Sequence, residues 1–421
     1  MFQHPLLITL GKLKGNVRAC VLTEPLWGIP FNLVLPYASV YMLALGLTDL
    51  QIGMIASLGY FVQIFFALIS GAITDKFGRR LTTAVSDFLS WGMAALIWAL
   101  AQDIRFFIAA AIINAMWRIP ANSWTCLLVE DADENQLVHI WTWIYIAGLL
   151  SAFFAPLAGV LISAIDLVPA VRILYAFAFV SMSAKAWILY RYSTETEQGR
   201  IRMEQTKNQR LFLLFRGYWD VFHQVLHTPK TLVALGIMTV ISIFLLVNNT
   251  FWSILVTERL GIPPENIAIY PFARSALLLL LYFILVPRLN LRKFRNPMLI
   301  GYGGFILSQL ILVTMPPGSY VLLLISVLIE AFSLAIYRPI HDSLVIISVD
   351  RIERARINAI MAVIVLCLTS PFGWIAGQLS ELNRIFPFLL NVILFLVGSI
   401  LVSFAWRMTR LEDRSNNVII T

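Results

Sequence analysis

The ten residues GAITDKFGRR, Gly71 to Arg80, interrupt a long apolar sequence. They contain one aspartate, and three of their last five residues are basic. Apolar residues dominate for about 20 positions on either side, which is the length that a helix needs to cross the hydrocarbon core of a bilayer. The segment is therefore predicted to be a short polar turn between two membrane-spanning helices.

The whole chain has the composition of a membrane protein. Of its 421 residues, 59% are hydrophobic and 13% are charged, whereas a soluble domain has about 25% charged residues. Apolar runs recur along the chain at 17–45, 50–73, 81–101, 106–128, 137–163, 168–190, 232–257, 266–286, 297–315, 319–345, 356–379 and 385–407. Backbone groups in hydrocarbon must bond within their own segment, so each run is predicted to be a helix. The expected fold class is an all-α membrane protein with twelve transmembrane helices.

Positive charge in the connections indicates the orientation. Most of the 31 Lys and Arg residues fall on one side if the spans alternate, and the other side receives only Arg105, Arg172, Arg259 and Arg384. Lys and Arg concentrate in cytoplasmic loops, which predicts cytoplasmic N- and C-termini in a plasma (inner) membrane. The formal charge of +8 is explained by this membrane surface, so no nucleic-acid partner is expected.

The longest inner connection, 191–231, divides the chain into a first bundle (1–190) and a second bundle (232–421). Its polar start is predicted to be mobile, and its end has the spacing of an amphipathic helix on the membrane surface. His223 and His227 are four residues apart there, but no third ligand lies nearby in the sequence, and we predict no metal site. The three cysteines lie far apart in apolar runs and form no disulfide or metal pattern.

The two halves of the chain are related by an internal repeat. Ala115–Asp131 aligns without gaps to Ala335–Arg351, with Arg118 opposite Arg338 and Glu130 opposite Asp350. Each copy precedes a span with a Pro–Gly break. This pattern predicts two pseudo-symmetric six-helix bundles, the design in which a transporter places its binding site between the halves.

The opening segment contains a spaced set of glycines and charges, namely Gly71, Asp75, Gly78, Arg79 and Arg80. It resembles the signature that the major facilitator superfamily carries between its second and third spans. The resemblance implies a cytoplasmic gate in which Asp75 and Arg79 latch the halves and separate during transport. The alternative is a loop that only fixes the topology.

Two other motifs resemble the drug–proton antiporter branch of this superfamily in part. Arg118 occupies the arginine position of the fourth span, but Ala121 and Asn122 replace the Gln-Gly pair that follows it in that branch. In the fifth span, Ser151–Val160 keeps a proline and some of the small residues. The branch, and with it the direction of transport, stays open at this point.

Charges within the spans are functional candidates, because an ionisable group in lipid is costly unless it is paired or hydrated. Glu24 and Arg118 lie at similar depth and are predicted to pair, with Glu24 taking up a proton when the arginine is drawn away; a static packing pair is the alternative. Glu330 lies near the middle of its span and is expected to be protonated, paired or in contact with substrate. We assign proton coupling to Glu24, Arg118 and Glu330.

The other intramembrane charges receive weaker assignments. Asp87 is expected to have a packing role, Lys185 and Arg172 to reach the membrane surface, and Arg274 stays ambiguous. Aromatic and amide side chains are predicted to line a substrate cavity, together with one arginine: Trp27, Asn32, Tyr37, Asn114, Trp117, Asn248, Asn249, Trp252, Tyr337 and Arg338. Rings attract cations, so this lining suits an amphipathic or weakly cationic organic solute, and interfacial packing is the alternative.

These observations predict a secondary active transporter that moves a small organic solute by alternating access. Proton-coupled export is the first hypothesis; an importer or uniporter of a nutrient or metabolite is the second, and a non-transporting membrane sensor or scaffold is the third. Neither a phosphate-binding loop nor a nucleophile motif is present in the sequence, so an enzyme is not expected, and no cofactor is implied. The expected partners are the solute, protons and the lipid bilayer, and we expect a monomer.

Overall fold

The computed structural model describes residues 10–133, 136–208, 218–285, 288, 294–347 and 354–419. Its regular elements are helices. The chain divides into two compact units. The first contains Met1–Arg216 and Pro263–Phe272, and the second contains Gly217–Ile262 and Ala273–Thr421.

The first unit contains six helical runs that we number as spans 1 to 6. They are Gly15–Ala44, Asp49–Phe77, Arg79–Ala99, Ile104–Val129, Leu137–Ile165 and Leu167–Tyr192. A further helix, Glu197–Thr206, follows span 6.

The remaining runs are spans 7 to 12. They are Pro229–Arg259, Pro264–Ile284, Arg295–Thr314, Tyr320–Ile347, Arg354–Leu382 and Phe386–Ile419. The short helix Tyr218–His227 precedes span 7. In it the imidazole of His227 lies 2.7 Å from the carbonyl oxygen of His223, and the two rings stack.

Eleven helices in the described ranges are long and apolar enough to cross a membrane. The predicted run that is missing from these eleven is the third, span 3. Its first helix, Arg79–Asp87 (RRLTTAVSD), is polar, and a π-helical segment, Phe88–Met93, separates it from the apolar helix Ala94–Ala99. Span 3 is therefore a continuous helical run that covers most of the predicted segment 81–101, although its polar first helix keeps it out of the eleven.

Prolines explain the irregular turns of spans 1 and 4. Proline has no N–H to donate and clashes with the preceding turn, so helices tighten or bend around it. A 3₁₀ turn surrounds Pro36 in span 1, and another, Ala115–Trp117, precedes Pro120 in span 4. Pro30 leaves the carbonyl of Leu26 without its helical donor, and the Ser181 hydroxyl of span 6 donates to it at 2.7 Å.

The core of the second unit is aromatic. Tyr302 of span 9, Tyr337 of span 10 and Phe395 of span 12 are fully buried and lie ring against ring with Phe305. The hydroxyl of Tyr302 donates to that of Tyr337 at 3.4 Å. Tyr337, which the sequence analysis placed in a substrate cavity, therefore packs in a bundle core in this structure.

Candidate functional site

Three charged side chains meet inside the first unit. The ammonium of Lys185 lies 3.4 Å from Asp87 Oδ2 and 3.9 Å from Glu24 Oε2. Spans 1, 3 and 6 each contribute one of them, and all three residues are at least 92% buried. We call this set the acid–lysine cluster. It combines two carboxylates with one ammonium, so one negative charge remains uncompensated when all three groups are ionised.

The acid–lysine cluster differs from the pairing that the sequence suggested. Lys185 does not reach the membrane surface, and Asp87 pairs with a charge instead of only packing. Glu24 and Arg118, both in the described part of the chain, are not within ion-pair distance of each other. Cys20, one helical turn before Glu24, is also buried and lies close enough to Lys185 to interact with its charge.

Arg118 is held by neutral groups. Its Nε donates to Gln63 Oε1 at 2.9 Å, and its guanidinium lies 4.2 Å from the ring centre of Trp117. Among the residues that the structure describes, no carboxylate lies within ion-pair distance of Arg118. Arg118 is therefore a half-buried cation whose described contacts are with neutral side chains.

A second buried ion pair lies in the second unit. Glu330 is 4% exposed, and its Oε1 accepts a hydrogen bond from Arg274 Nη1 at 3.1 Å. Asn248 Nδ2 donates to its other oxygen at 3.4 Å. Of the three states expected for Glu330, the structure contains the paired one. It also assigns a partner to Arg274, whose role was ambiguous.

The other predicted cavity residues occupy different environments. Trp27 stacks on Phe31 with ring centres 4.8 Å apart, and Asn32 Nδ2 donates to the Gly28 carbonyl at 2.7 Å. Tyr37 is fully buried, and Trp252 is half-buried. Asn249 and Arg338 are exposed.

The signature loop between spans 2 and 3 contains an ionic network around Arg79. The guanidinium binds both oxygens of Glu130, at the end of span 4, and its Nη1 lies 3.1 Å from Asp75 Oδ1. Arg79 is 4% exposed. The Asp75–Arg79 pair was predicted, whereas Glu130 was not named as a site residue. The signal for Glu130 was its place opposite an aspartate in the internal repeat.

A carboxylate from beyond span 6 caps the start of span 3. Glu195 accepts hydrogen bonds from the backbone N–H groups of Arg79 at 2.8 Å and Arg80 at 3.1 Å. Gly78, the residue before this helix, has φ +82° and no side chain with which to cap it. A Cβ at Gly78 would lie 2.5 Å from Glu195 Oε2, so the loop needs glycine both for its conformation and for this contact.

The segment after span 6 is packed against the signature loop. Thr196 is fully buried and its hydroxyl donates to Glu130 Oε2, while the Thr206 hydroxyl donates to the Asp75 carbonyl at 3.1 Å. The prediction of a mobile linker start is wrong for these residues, because side-chain hydrogen bonds hold the helix Glu197–Thr206. A Cβ at Gly71 would meet nothing within 4 Å, so no close helix contact explains that glycine here.

No group of His, Cys, Asp or Glu in the described ranges is arranged to hold a metal ion. The candidate site therefore consists of ionisable, amide and aromatic side chains.

Residues 27–374 match the sequence profile of the Major Facilitator Superfamily. This chain belongs to that superfamily. It is an integral membrane protein of a transporter family and not an enzyme. The match is to the superfamily as a whole, so the drug–proton antiporter branch stays a prediction. No protein of curated function matches the chain in sequence.

Solved structures of other superfamily members share the fold. The nucleoside transporter NupG superposes with a TM-score of 0.69 at 15% identity, over 94% of this chain and 99% of its own. The POT family transporter PepTSo gives 0.70 at 12% identity, over 94% and 98%. The human organic anion transporter MFSD10 (TETRAN) gives 0.63 at 15% identity, over 92% and 98%. At these identities the superfamily transporters are similar in fold alone.

Proposed function

We propose that this superfamily transporter is proton-coupled and moves a small organic solute by alternating access, with export as its direction. The observation that carries the proposal is the acid–lysine cluster of Glu24, Asp87 and Lys185. Two buried carboxylates share a single ammonium, and an unbalanced charge in a water-poor site is costly. A proton on one carboxyl group removes that imbalance.

Coupling follows from the change in hydration during the transport cycle. When the cluster is dry, the neutral form of one carboxyl group is favoured, since desolvation disfavours the charged form. When water reaches it, the carboxylate is solvated and the proton leaves. A solute whose passage opens and closes the site would thus be linked to proton movement. The partial resemblance to drug–proton antiporters favours movement in the opposite direction, which is export.

The properties of the solute are inferred from the groups around Arg118. The ring centres of Trp27, Phe31 and Trp91 lie 4.8 to 6.0 Å apart. The indole of Trp117 lies against the Arg118 guanidinium. Stacked rings favour an aromatic or amphipathic solute. Arg118, which lacks a carboxylate partner among the described residues, can bind an anionic or strongly polar substituent of it.

We propose that the ionic network of Asp75, Arg79 and Glu130, whose members all belong to the first unit, opens and closes during transport as the cytoplasmic gate. The bidentate Arg79–Glu130 contact is strong. It can still open, because water then hydrates the separated guanidinium and carboxylate groups. Arg80 anchors the same loop by donating to the Tyr190 carbonyl at 2.9 Å. We further propose a monomer in the plasma membrane with both termini in the cytoplasm.

The proposal is tested with purified protein in proteoliposomes across an imposed pH gradient. Solutes are first selected by thermal stabilisation of the protein, and their uphill movement is then followed together with internal pH. Glu24→Gln should abolish uphill movement and solute-dependent proton flux while solute exchange persists. Glu258→Gln, at an exposed ion pair, is the matched control.

Each alternative predicts a different result in the same assay. If the solute moves uphill in the same direction as protons, the protein is an importer. If the unmodified protein exchanges solute at a rate that does not depend on the pH gradient, it is a uniporter. A protein that binds solutes but moves none is a sensor or scaffold. Undiminished uphill transport by Glu24→Gln would remove the acid–lysine cluster from the coupling mechanism.

A further inference from the structure

The first unit contains a partly open cavity that shares Phe31 and Trp91 with the aromatic groups described above but contains no member of the acid–lysine cluster. Its volume is about 230 Å³, and residues of spans 1, 2, 3, 4 and 6 surround it. The lining residues include Phe31, Trp91, Trp98, Ala111 and Asn114. None of them carries a formal charge. We call this space the aromatic cavity.

One lining residue of the aromatic cavity, Asn114, has a polar atom without a hydrogen-bond partner among the described residues. Asn114 donates its Nδ2 to the Ser90 carbonyl at 2.9 Å, and its Oδ1 accepts no hydrogen bond from any described residue. An amide oxygen to which no described residue donates can accept a hydrogen bond from a ligand.

The backbone is irregular in the spans that form the wall. Span 1 carries a 3₁₀ turn over Leu35–Tyr37, and span 3 is π-helical over Phe88–Met93, the segment that contains Trp91. The turn in span 1 follows from Pro36, but no proline accounts for the π segment. Single π turns are costly and recur at functional sites. Here the π segment sets the position of an aromatic wall residue.

We propose that the aromatic cavity binds a neutral, flat, two-ring aromatic group that carries an N–H donor. Size supports two rings, since an engineered apolar cavity of about 150 Å³ holds benzene. Charge supports a neutral group, because ionised groups are costly against walls without counter-charges. The free Asn114 oxygen supports the N–H donor. Rings of the ligand would face Phe31, Trp91 and Trp98, where stacked and edge-on contacts are favourable.

This inference rests on the proposed function in one respect, namely that the bound ring belongs to the transported solute. Binding itself needs neither a gradient nor transport. It is therefore measured at equilibrium on the full chain in lipid nanodiscs, with empty nanodiscs subtracted to remove partitioning into lipid. The probes are indole, which has the N–H, and benzofuran, which has the same shape with an ether oxygen instead.

Indole should bind saturably and about tenfold more tightly than benzofuran, the factor expected for one net hydrogen bond. Ala111→Leu, which fills the aromatic cavity, should abolish saturable binding of both probes. Ala109→Leu, on the exposed side of the same helix, should leave binding unchanged. Asn114→Leu should reduce indole affinity to that of benzofuran. Size-exclusion and thermal-unfolding profiles check that each variant is folded.

Saturable indole binding that survives Ala111→Leu would overturn the proposal, as would the absence of saturable binding to the unmodified protein. Equal affinities for indole and benzofuran in the unmodified protein would overturn the role of Asn114, and this comparison requires no variant to fold. If the ring binds as expected but transport stays insensitive to Glu24→Gln, the cavity proposal stands and the coupling proposal fails.

Discussion

Replacing Lys185 by methionine removes the only cation of the acid–lysine cluster while keeping a long, flexible apolar side chain. The ammonium lies within 4 Å of both Glu24 and Asp87 in the native protein. Without it, two carboxyl groups stay buried with no described cation in ion-pair distance. Their burial leaves little water to compensate.

The expected cost is set by the loss of a buried partner. Removing one member of a buried ion pair destabilises a protein by about 3–5 kcal/mol, because the other charge stays uncompensated. For a bundle of roughly 200 residues, 1 kcal/mol shifts the unfolding midpoint by about 2–4 °C. Lys185→Met should therefore lower the midpoint by roughly 6–20 °C at pH 8.

Acid should relieve most of this loss. A protonated, neutral acid does not require the ammonium, so the deficit should shrink as the pH falls. A double variant provides a second check. Lys185→Met with Asp87→Asn restores the native net charge of the cluster, and should recover most of the midpoint at pH 8.

Thermal unfolding of the purified protein in detergent, followed by a thiol-reactive dye, measures these midpoints. Lys230→Met, which alters an exposed lysine, is the matched control and should shift the midpoint by less than about 2 °C. The reasoning is refuted if Lys185→Met is as stable as the native protein at pH 8. A double variant that is less stable than Lys185→Met alone would also contradict it.

The remaining predictions concern the loop and the second unit. Glu195→Ala should cost about 1 kcal/mol through loss of the helix cap and speed proteolysis near residue 200, whereas Glu197→Ala, at an exposed site, should do neither; equal cleavage rates would contradict the cap. Arg274→Met should destabilise the protein by about 2–3 kcal/mol by leaving Glu330 buried without its partner, and Arg384→Met, at a surface pair, by less than about 1 kcal/mol. If Arg274→Met and Arg384→Met lowered the free energy of unfolding equally in a denaturant series, the stability of the protein with buried Glu330 would not depend on Arg274.

The ionic network of the signature loop illustrates which contacts a sequence reveals. Asp75 and Arg79 are four residues apart around a helix boundary, so their pairing is local and could be predicted. Glu130 and Glu195 are 51 and 116 residues away from Arg79, and only the packing of spans 2, 3, 4 and 6 brings them to it. Polar residues after span 6 looked like a mobile linker because their partners are remote in the sequence.

Hydropathy and loop charge alone indicated that lipid surrounds this chain, and they predicted twelve helical runs, most of whose limits lie within a few residues of the observed ones; eleven helices in the described ranges are long and apolar enough to cross a membrane. These are properties of each segment by itself, since a backbone in hydrocarbon has to form a helix whatever its neighbours are. Position along a span also indicated how deep each charged residue lies, which is why Glu24, Arg118 and Glu330 were recognised as costly.

Only the tertiary structure decided the partner of each buried charge. Depth does not specify the direction in which a side chain points around its helix axis, and rotation by a single residue, about 100°, exchanges one neighbour for another. Glu24 thus pairs with Lys185 of span 6, although Arg118 of span 4 lies at a similar depth. For the same reason the aromatic cavity could not be predicted from the sequence, because its walls come from five separate spans.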